Sequence, residues 1–515
     1  MEVYQKQSFK DSFKIYFDKR MIRILLLGII SGFPWVLIGS SLSLWLKEEG
    51  LSRSTIGWAG LIFAVYAFNY LWAPLIDRIN KFSQIIGFTL ITFGIILASY
   101  DWLSGVEFYG NYYPIVRGLV IALFGIFFTK KNLFSGLNKI SNRLGHRRTW
   151  IVSMQFIILI SLVIWSYINP TQNLALVITI GLVIAIASAT QDITVDALRI
   201  EQIGKDEGKS MQAGAAMAVV GWWTGYKLGG VIALNAAEYF QQAGFENYWQ
   251  LTFLVLSVVI IVCNIGLMFV HESQPTERQE SQRRTDQMIE GRLGASNVAT
   301  KSIAWITGTV LGPLMSFFKK NGFKIALGIL GFVFLFKIGE AFLGRMSIVF
   351  YKEMGFSKSD IALYSKGLGW ITTVVFTLLG GLFAIRAGVI KAMFVSGILM
   401  ASTNLLFSAL AWSGKHEWLF AVAVIFDDMA AAFATVAFVA FISMLVDRTY
   451  TATQYALLAS IGTAGRTTLA ASSGAMVDWL NGDWGIFFII TAVMVIPSLI
   501  FLYMIKDNIK LSEKI

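Results

Sequence analysis

Two stretches of this chain, roughly three hundred residues apart, repeat one another: Trp45-Leu-Lys-Glu-Glu-Gly-Leu-Ser-Arg-Ser-Thr-Ile56 and Phe350-Tyr-Lys-Glu-Met-Gly-Phe-Ser-Lys-Ser-Asp-Ile361. Lys47, Glu48, Gly50, Ser52, Ser54 and Ile56 recur as Lys352, Glu353, Gly355, Ser357, Ser359 and Ile361. Each stretch is a short polar turn between two long apolar runs. The chain therefore reads as a duplication, with two halves repeated in the same direction. In a membrane protein such repeats place a site at their junction, and transporters are built this way.

The apolar runs supply the membrane part of that reading. They cover 22–46, 55–76, 82–100, 112–129, 150–168, 174–197, 211–240, 249–270, 323–351, 360–384, 389–411, 418–446, 452–478 and 484–505. A helix of about 20 residues crosses the ~30 Å hydrocarbon core of a bilayer. Charged residues make up only 14% of the chain, against about a quarter in soluble domains. The basic, amphipathic start up to Arg20 precedes an apolar run without a small-residue cleavage site, so it reads as a retained span. Cys263 is the only cysteine, and His146, His271 and His416 are far apart. No intrachain disulfide and no metal-ligand spacing follows from them.

Orientation comes from the basic residues. With the N-terminus in the cytoplasm, 31 of the 42 Lys and Arg fall in cytoplasmic segments and five fall outside. That asymmetry is the positive-inside signature. It places both termini in the cytoplasm and explains the net charge of +11 without a nucleic-acid partner.

The polar stretch 271–301 has the composition of a disordered linker, and 303–318 reads as an interfacial helix. The expected organisation is an N-terminal six-helix half over 1–270, a cytoplasmic linker over 271–322 and a C-terminal six-helix half over 323–515. Segments 82–100 and 112–129 are additional. They interrupt a loop that runs from Ala73-Pro-Leu-Ile-Asp77-Arg78 to Asn142-Arg-Leu-Gly-His-Arg-Arg-Thr149. An even number of inserted crossings preserves the orientation of everything downstream, so a two-helix transmembrane hairpin at about 79–141 is expected. The fold class is an all-α membrane protein with 14 spans in total.

An ionised side chain at mid-bilayer costs about 2.5–3.5 kcal/mol on insertion scales, so charges within the spans mark candidates. Glu340 is the first choice for a proton carrier, with Asp427, Asp428, Asp192 and Asp196 beside it. Asp192 and Asp196 are four apart and share a helix face, as do Lys337 and Glu340, three apart. Asp427 and Asp428 are adjacent, so only one points straight into a cavity. Lys337, Lys366 and Arg466 are candidates to hold substrate carboxylates. Such groups suit a proton-coupled carrier, because a carboxylate in a cavity is pushed toward its neutral form by desolvation and toward its charged form by a nearby cation. The plain alternative is that they are packing ion pairs, most of all Asp196 with Arg199.

The joined loop resembles that between the second and third spans of the major facilitator superfamily, roughly G-x-L-x-D-R-x-G-R-R. A worn copy follows at Gly380-Gly381-Leu-Phe-Ala-Ile-Arg386-Ala-Gly388. Within that superfamily the chain resembles the bacterial muropeptide permeases of the AmpG type. The resemblance runs through Leu27-Gly-Ile-Ile-Ser-Gly-Phe-Pro34, Tyr70-Leu-Trp-Ala-Pro-Leu-Ile-Asp-Arg78, Ser188-Ala-Thr-Gln-Asp-Ile-Thr-Val-Asp-Ala197, Lys337-Ile-Gly-Glu-Ala-Phe342, Lys366-Gly-Leu-Gly369 and Ala452-Thr-Gln-Tyr-Ala-Leu-Leu458, with Gly465-Arg466. It departs at Leu198, where an aromatic is usual, and at Asp427-Asp428, where an acid is usually followed by an amide. The resemblance implies proton-driven import of anhydromuropeptides (GlcNAc-anhydroMurNAc-peptides) across the bacterial inner membrane, for cell-wall recycling and β-lactamase induction. Gln191, Asn69, Gln454, Trp223 and Trp370 join the candidate substrate contacts. Asp77, Arg78, Arg143, Gly145, Arg147, Arg148 and Arg386 form the expected cytoplasmic gate. The expected partners are the lipid bilayer, protons and a small glycopeptide. The proton gradient is the driving force, no cofactor is needed, and the chain is expected to act as a monomer. Two competing readings are a carrier of acetyl-CoA or another anionic metabolite, and a membrane-embedded enzyme on lipid-linked substrates that uses Asp77 with His146.

Overall fold

The computed structural model describes residues 9–51, 59–103, 113–129, 135–204, 206–272, 280, 282, 284, 286–288, 290–291, 298–356, 368–470, 472–509 and 511. Among these residues every regular element is helical. Eight helices are long and apolar enough to cross a membrane: Lys19–Glu48, His146–Trp165, Leu174–Glu201, Tyr248–Leu267, Phe323–Ser347, Val389–Ser413, Glu417–Leu445 and Trp484–Ile505. Shorter apolar helices are Ile62–Leu71, Phe82–Ile95 and Ile371–Ala387.

Of the six apolar runs outside that set, two are divided among the described residues. The run 55–76 is chopped into the short pieces Gly60–Ala64, Val65–Phe68, Asn69–Leu71 and Ala73–Arg78, and its beginning lies outside the described residues. The run 452–478 divides into Thr451–Ala470 and Ser473–Trp479. The run 360–384 also begins outside the described residues. The piece read as interfacial lies within a 24-residue helix, Val298–Asn321, that carries Pro313 internally. Gln454 Nε2 donates to the Pro313 carbonyl at 2.9 Å, and Lys320 Nζ to the Leu445 carbonyl at 2.9 Å.

The chain forms two compact units. One comprises Ile30–Glu201 and Gly225–Arg284, the other Met1–Ile29, Gln202–Thr224 and Thr285–Ile515. They are called below the Asp77 unit and the Lys337 unit. Their boundaries differ from the sequence halves, because two N-terminal pieces pack with the C-terminal chain. Tyr16 donates its hydroxyl to the Leu378 carbonyl at 3.0 Å, and Arg448 Nη2 donates to the Ile203 carbonyl at 2.8 Å.

The sequence repeat has the same structure in each unit. In the Asp77 unit the first apolar helix ends at Glu48, and Gly50 turns the chain with φ +82°. Gly50 N then bonds the Lys47 carbonyl and Leu51 N the Leu46 carbonyl. In the Lys337 unit Gly355 has φ +83°, with the matching bonds from Gly355 N to Lys352 and from Phe356 N to Tyr351. Only glycine takes that backbone conformation freely, which is the reason it closes both helices. Ser52, Ser54, Ile56, Ser357, Ser359 and Ile361 lie outside the described residues.

Beneath each cap lies a ring triad. Trp45, Trp165 and Phe253 pack with centroids 4.9–5.8 Å apart in the Asp77 unit. Phe350, Phe407 and Phe488 pack with centroids 4.8–6.4 Å apart in the other. Trp45, Trp165, Phe253, Phe350, Phe407 and Phe488 are all fully buried. The helices Phe82–Leu103 and Tyr113–Thr129 form a closely packed pair in the Asp77 unit. Gly87, Gly94, Gly118 and Gly125 line their contact, as small residues do where apolar helices meet.

Candidate functional site

The Lys337 unit holds a charged cavity at a break in a helix. The span Phe323–Ser347 consists of Phe323–Leu335 and Ile338–Glu353, interrupted at Phe336–Lys337. Non-helical backbone at membrane depth is tolerated where it is buried in protein or lines a cavity. Lys337 adopts φ −105°, ψ 17° there. Its ammonium donates to Thr435 Oγ1 at 2.8 Å and lies 3.0 Å from Glu340 Oε2. Lys337 also lies within electrostatic range of Arg466 and Asp427.

The cavity, about 190 Å³, is lined by Lys337, Thr435, Tyr455, Thr463 and Arg466 among apolar neighbours. Gly465 is needed for this arrangement: a Cβ there would come within 2.9 Å of the Phe334 carbonyl carbon. The helix Thr451–Ala470 thus passes against the chain just before the break, and Arg466 arrives beside Lys337. Asp427 has the Thr403 hydroxyl 3.5 Å away, while Asp428 accepts from the Thr372 hydroxyl at 2.9 Å. The adjacent acids face different helices, as their offset requires. Lys366 and the side chain of Trp370 lie outside the described residues.

The Asp77 unit has a different centre. Asp192 accepts from the Ser31 hydroxyl. Tyr66 lies within electrostatic range of it and donates to Ser188 Oγ at 2.7 Å. Trp35 packs against both Phe63 and Tyr66, with centroids 4.9 and 4.6 Å away. Asn69 is buried at a second break, Phe68–Trp72, where Trp72 Nε1 donates to Thr190 Oγ1 at 2.9 Å. Ser31, Trp35 and Tyr66 are absent from the sequence-derived candidates. Each stands in an apolar run with no charge to mark it.

Two expected substrate contacts act as struts. Gln191 is fully buried and donates to the Ile30 carbonyl at 2.8 Å, and Gln454 is bonded to Pro313 and Asp447. Asp196 takes Arg199 of its own helix at 3.0 Å, and Arg199 is fully buried. Trp223 packs edge-on to Trp222 at 5.2 Å.

Of the residues expected at a gate, Asp77 and Arg148 gather around Arg147, which is fully buried. Its Nη2 lies 2.7 Å from Asp77 Oδ1 and 2.8 Å from Glu201 Oε1, and its Nη1 donates to the Ile76 carbonyl at 3.1 Å. Glu272 accepts from the backbone N–H groups of Arg147 and Arg148 at 2.8 and 3.0 Å. It therefore caps the helix that starts at His146, where negative charge is favoured. Gly145, with φ +99°, turns the chain into that helix. Burial pushes the Glu272 carboxyl above its ordinary range, against the pull of those two N–H groups. Arg143 is exposed and stands outside this network, Arg386 is exposed, and Arg78 ends the helix Ala73–Arg78. Glu201 and Glu272 are members that the sequence motif does not announce. His146 Nε2 meets the Ile76 carbonyl at 2.6 Å, so Asp77 serves Arg147 and not an acid–base pair with His146.

The family model of the Major Facilitator Superfamily matches residues 113–371. A "Putative transporter AmpG 4" of Rickettsia conorii is 28% identical over 96% of this chain and 99% of its own length. The "Anhydromuropeptide permease" of Escherichia coli K12 is 26% identical over 96% of this chain and 82% of its own. Among solved structures, the proton:xylose symporter XylE superposes with a TM-score of 0.57 at 14% identity, covering 97% of each chain. FucP in its outward conformation does so with a TM-score of 0.58 at 12% identity, over 95% of this chain and 99% of its own. At those identities the structures establish the fold alone.

Proposed function

The chain belongs to the Major Facilitator Superfamily, a family of transporters, and we propose that within it this protein imports anhydromuropeptides with protons. The solute is a disaccharide bearing an acidic peptide, moved from the periplasm to the cytoplasm for cell-wall recycling and β-lactamase induction. The names of its relatives support that substrate class. The observation that carries the reading is the cavity at the Phe336–Lys337 break, lined by the cations Lys337 and Arg466, with Glu340 paired to Lys337 beside it. Lys337 and Arg466 are cations for peptide carboxylates. Glu340, already paired with Lys337, is the acid that gains a proton when the cation is drawn to substrate. Asp427 is the nearest alternative carrier, with Asp428, Asp192 and Asp196 further candidates.

The proposed setting is the bacterial inner membrane, with both termini in the cytoplasm and a single chain as the working unit. Fourteen crossings follow if the short and broken apolar helices also span, with Phe82–Leu103 and Tyr113–Thr129 as an inserted hairpin. The Arg147 network is the proposed cytoplasmic gate.

Uptake into proteoliposomes with an imposed pH gradient tests this. GlcNAc-anhydroMurNAc-peptide should accumulate inside, and excess acetyl-CoA should not compete. Uptake indifferent to the gradient removes the coupling, and competition by acetyl-CoA replaces the substrate.

A further inference from the structure

We infer that the Asp77 unit holds an anionic phospholipid, one acyl chain lying in the cleft beneath the helix Phe82–Leu103 and the headgroup resting on Lys139 and Arg143. The cleft, about 200 Å³, is lined by Ile85, Phe88, Trp150, Met154 and Val183 with a few hydroxyl and indole groups. Those polar groups are already occupied. Thr89 and Thr92 donate to the Ile85 and Phe88 carbonyls of their own helix at 2.9 Å. Trp72 Nε1 donates to Thr190 Oγ1 at 2.9 Å, and Thr190 to the Ile186 carbonyl at 2.7 Å. Trp150 Nε1 donates to the Ile79 carbonyl at 2.7 Å. A bound water needs two to four polar partners, and apolar cavities of about 150 Å³ stay dry and take hydrocarbon. A polar solute finds no free donor here, whereas an acyl chain needs none.

The dimensions agree. From Ile85 to Thr92 the helix rises about 10 Å, within the ~15 Å of one leaflet's hydrocarbon. Thr92 is exposed, so the cleft opens sideways where lipid tails would be.

Charge identifies the headgroup. The ten-residue helix Ser135–Leu144 is fastened across the start of Phe82–Leu103. Phe82 N donates to Ser141 Oγ at 2.8 Å, and Ser83 Oγ to Asn138 Oδ1 at 3.1 Å. That fixes it about one turn from Ile85. Its other residues Lys139, Ile140 and Arg143 are exposed. Neither cation enters an ion pair among the described residues. Lys139 and Arg143, four apart, share a face. Exposed isoleucine beside cations suits a helix lying at the headgroup level. The solute and proton sites proposed above take no part in this inference.

The test uses the full-length protein, delipidated in detergent and titrated with phosphatidylglycerol, phosphatidylcholine or inorganic phosphate while its melting temperature is read. Phosphatidylglycerol should stabilise at the lowest concentration, and inorganic phosphate should not stabilise at all. Lys139→Gln with Arg143→Gln should weaken phosphatidylglycerol about fivefold per charge removed, about twenty-five-fold together. The same pair should leave the lipid-free melting temperature unchanged. Thr92→Trp, which narrows the mouth, should weaken both lipids. Equal potency of the two lipids with no response to the double substitution overturns the inference. Stabilisation by inorganic phosphate alone overturns the acyl-chain part.

Discussion

At the end of the first apolar helix, Glu48 accepts the indole N–H of Trp249 at 2.6 Å. At the equivalent place in the Lys337 unit, Glu353 accepts that of Trp484 at 2.7 Å. The capping glycines and the buried ring triads match as well. The middles of the two units do not. In the Lys337 unit, cations and acids surround a broken helix at Lys337. In the Asp77 unit, Asp192 sits with hydroxyls and the aromatic wall of Trp35, Phe63 and Tyr66. A duplicated chain has therefore kept its scaffolding in both copies while its centres diverged.

The comparison breaks most readily at the buried Arg147 network of the Asp77 unit. Arg147→Leu leaves Asp77 buried without its cation, and losing one partner of such a pair is worth about 3–5 kcal/mol. The melting temperature of the purified protein should fall steeply. Next comes the charged centre. Lys337→Met should weaken binding of acidic-peptide ligands by about 2–5 kcal/mol, and calorimetry should find the peptide-free disaccharide much less affected.

The shared scaffolding sets a sharper test. Glu48→Ala and Glu353→Ala each remove one indole acceptor, worth about 1 kcal/mol, and the two melting-temperature shifts should agree apart from the exposed Tyr248 hydroxyl bond that Glu48 also accepts. A large inequality would mean that the repeat no longer serves the same purpose in both copies. The smallest effect lies at Arg20, which holds both Asp18 and Glu207 below the usual carboxylate range. Depressed values mean that their contribution is present above the unfolded pKa near 4. It is lost as the pH falls through the folded values. With all three side chains 31–40% exposed, the loss is discounted to a few tenths of a kcal/mol. Arg20→Gln should flatten that part of an acid melting curve.

Much of this was legible in residue order. The repeat around Gly50 and Gly355 named both caps, and the charges Lys337, Glu340, Asp427 and Arg466 named one centre, because ionised groups are rare in apolar helices. The loop Asp77 to Arg148 named the proposed gate, but not which arginine turns inward. Arg143 ends one helix and Arg147 begins the next, and Gly145 between them separates their directions. Glu201 and Glu272 are distant in sequence and become gate members only through folding. The helix breaks were hidden too. Phe336–Lys337 contains no proline or glycine, so hydropathy reads straight through it. Gln191 and Gln454 look like solute contacts in an apolar run, yet their amides hold backbone carbonyls of neighbouring segments.

The central claim is that substrate and proton meet at Lys337 and Glu340, and substrate-evoked proton uptake in proteoliposomes tests it most directly. Adding anhydromuropeptide to the wild-type protein should acidify the lumen, and the solute should accumulate up to about fifty-fold per proton at 100 mV. Glu340→Gln should still exchange substrate across the membrane, with no proton movement and no accumulation. Undiminished proton movement in that variant would contradict the account.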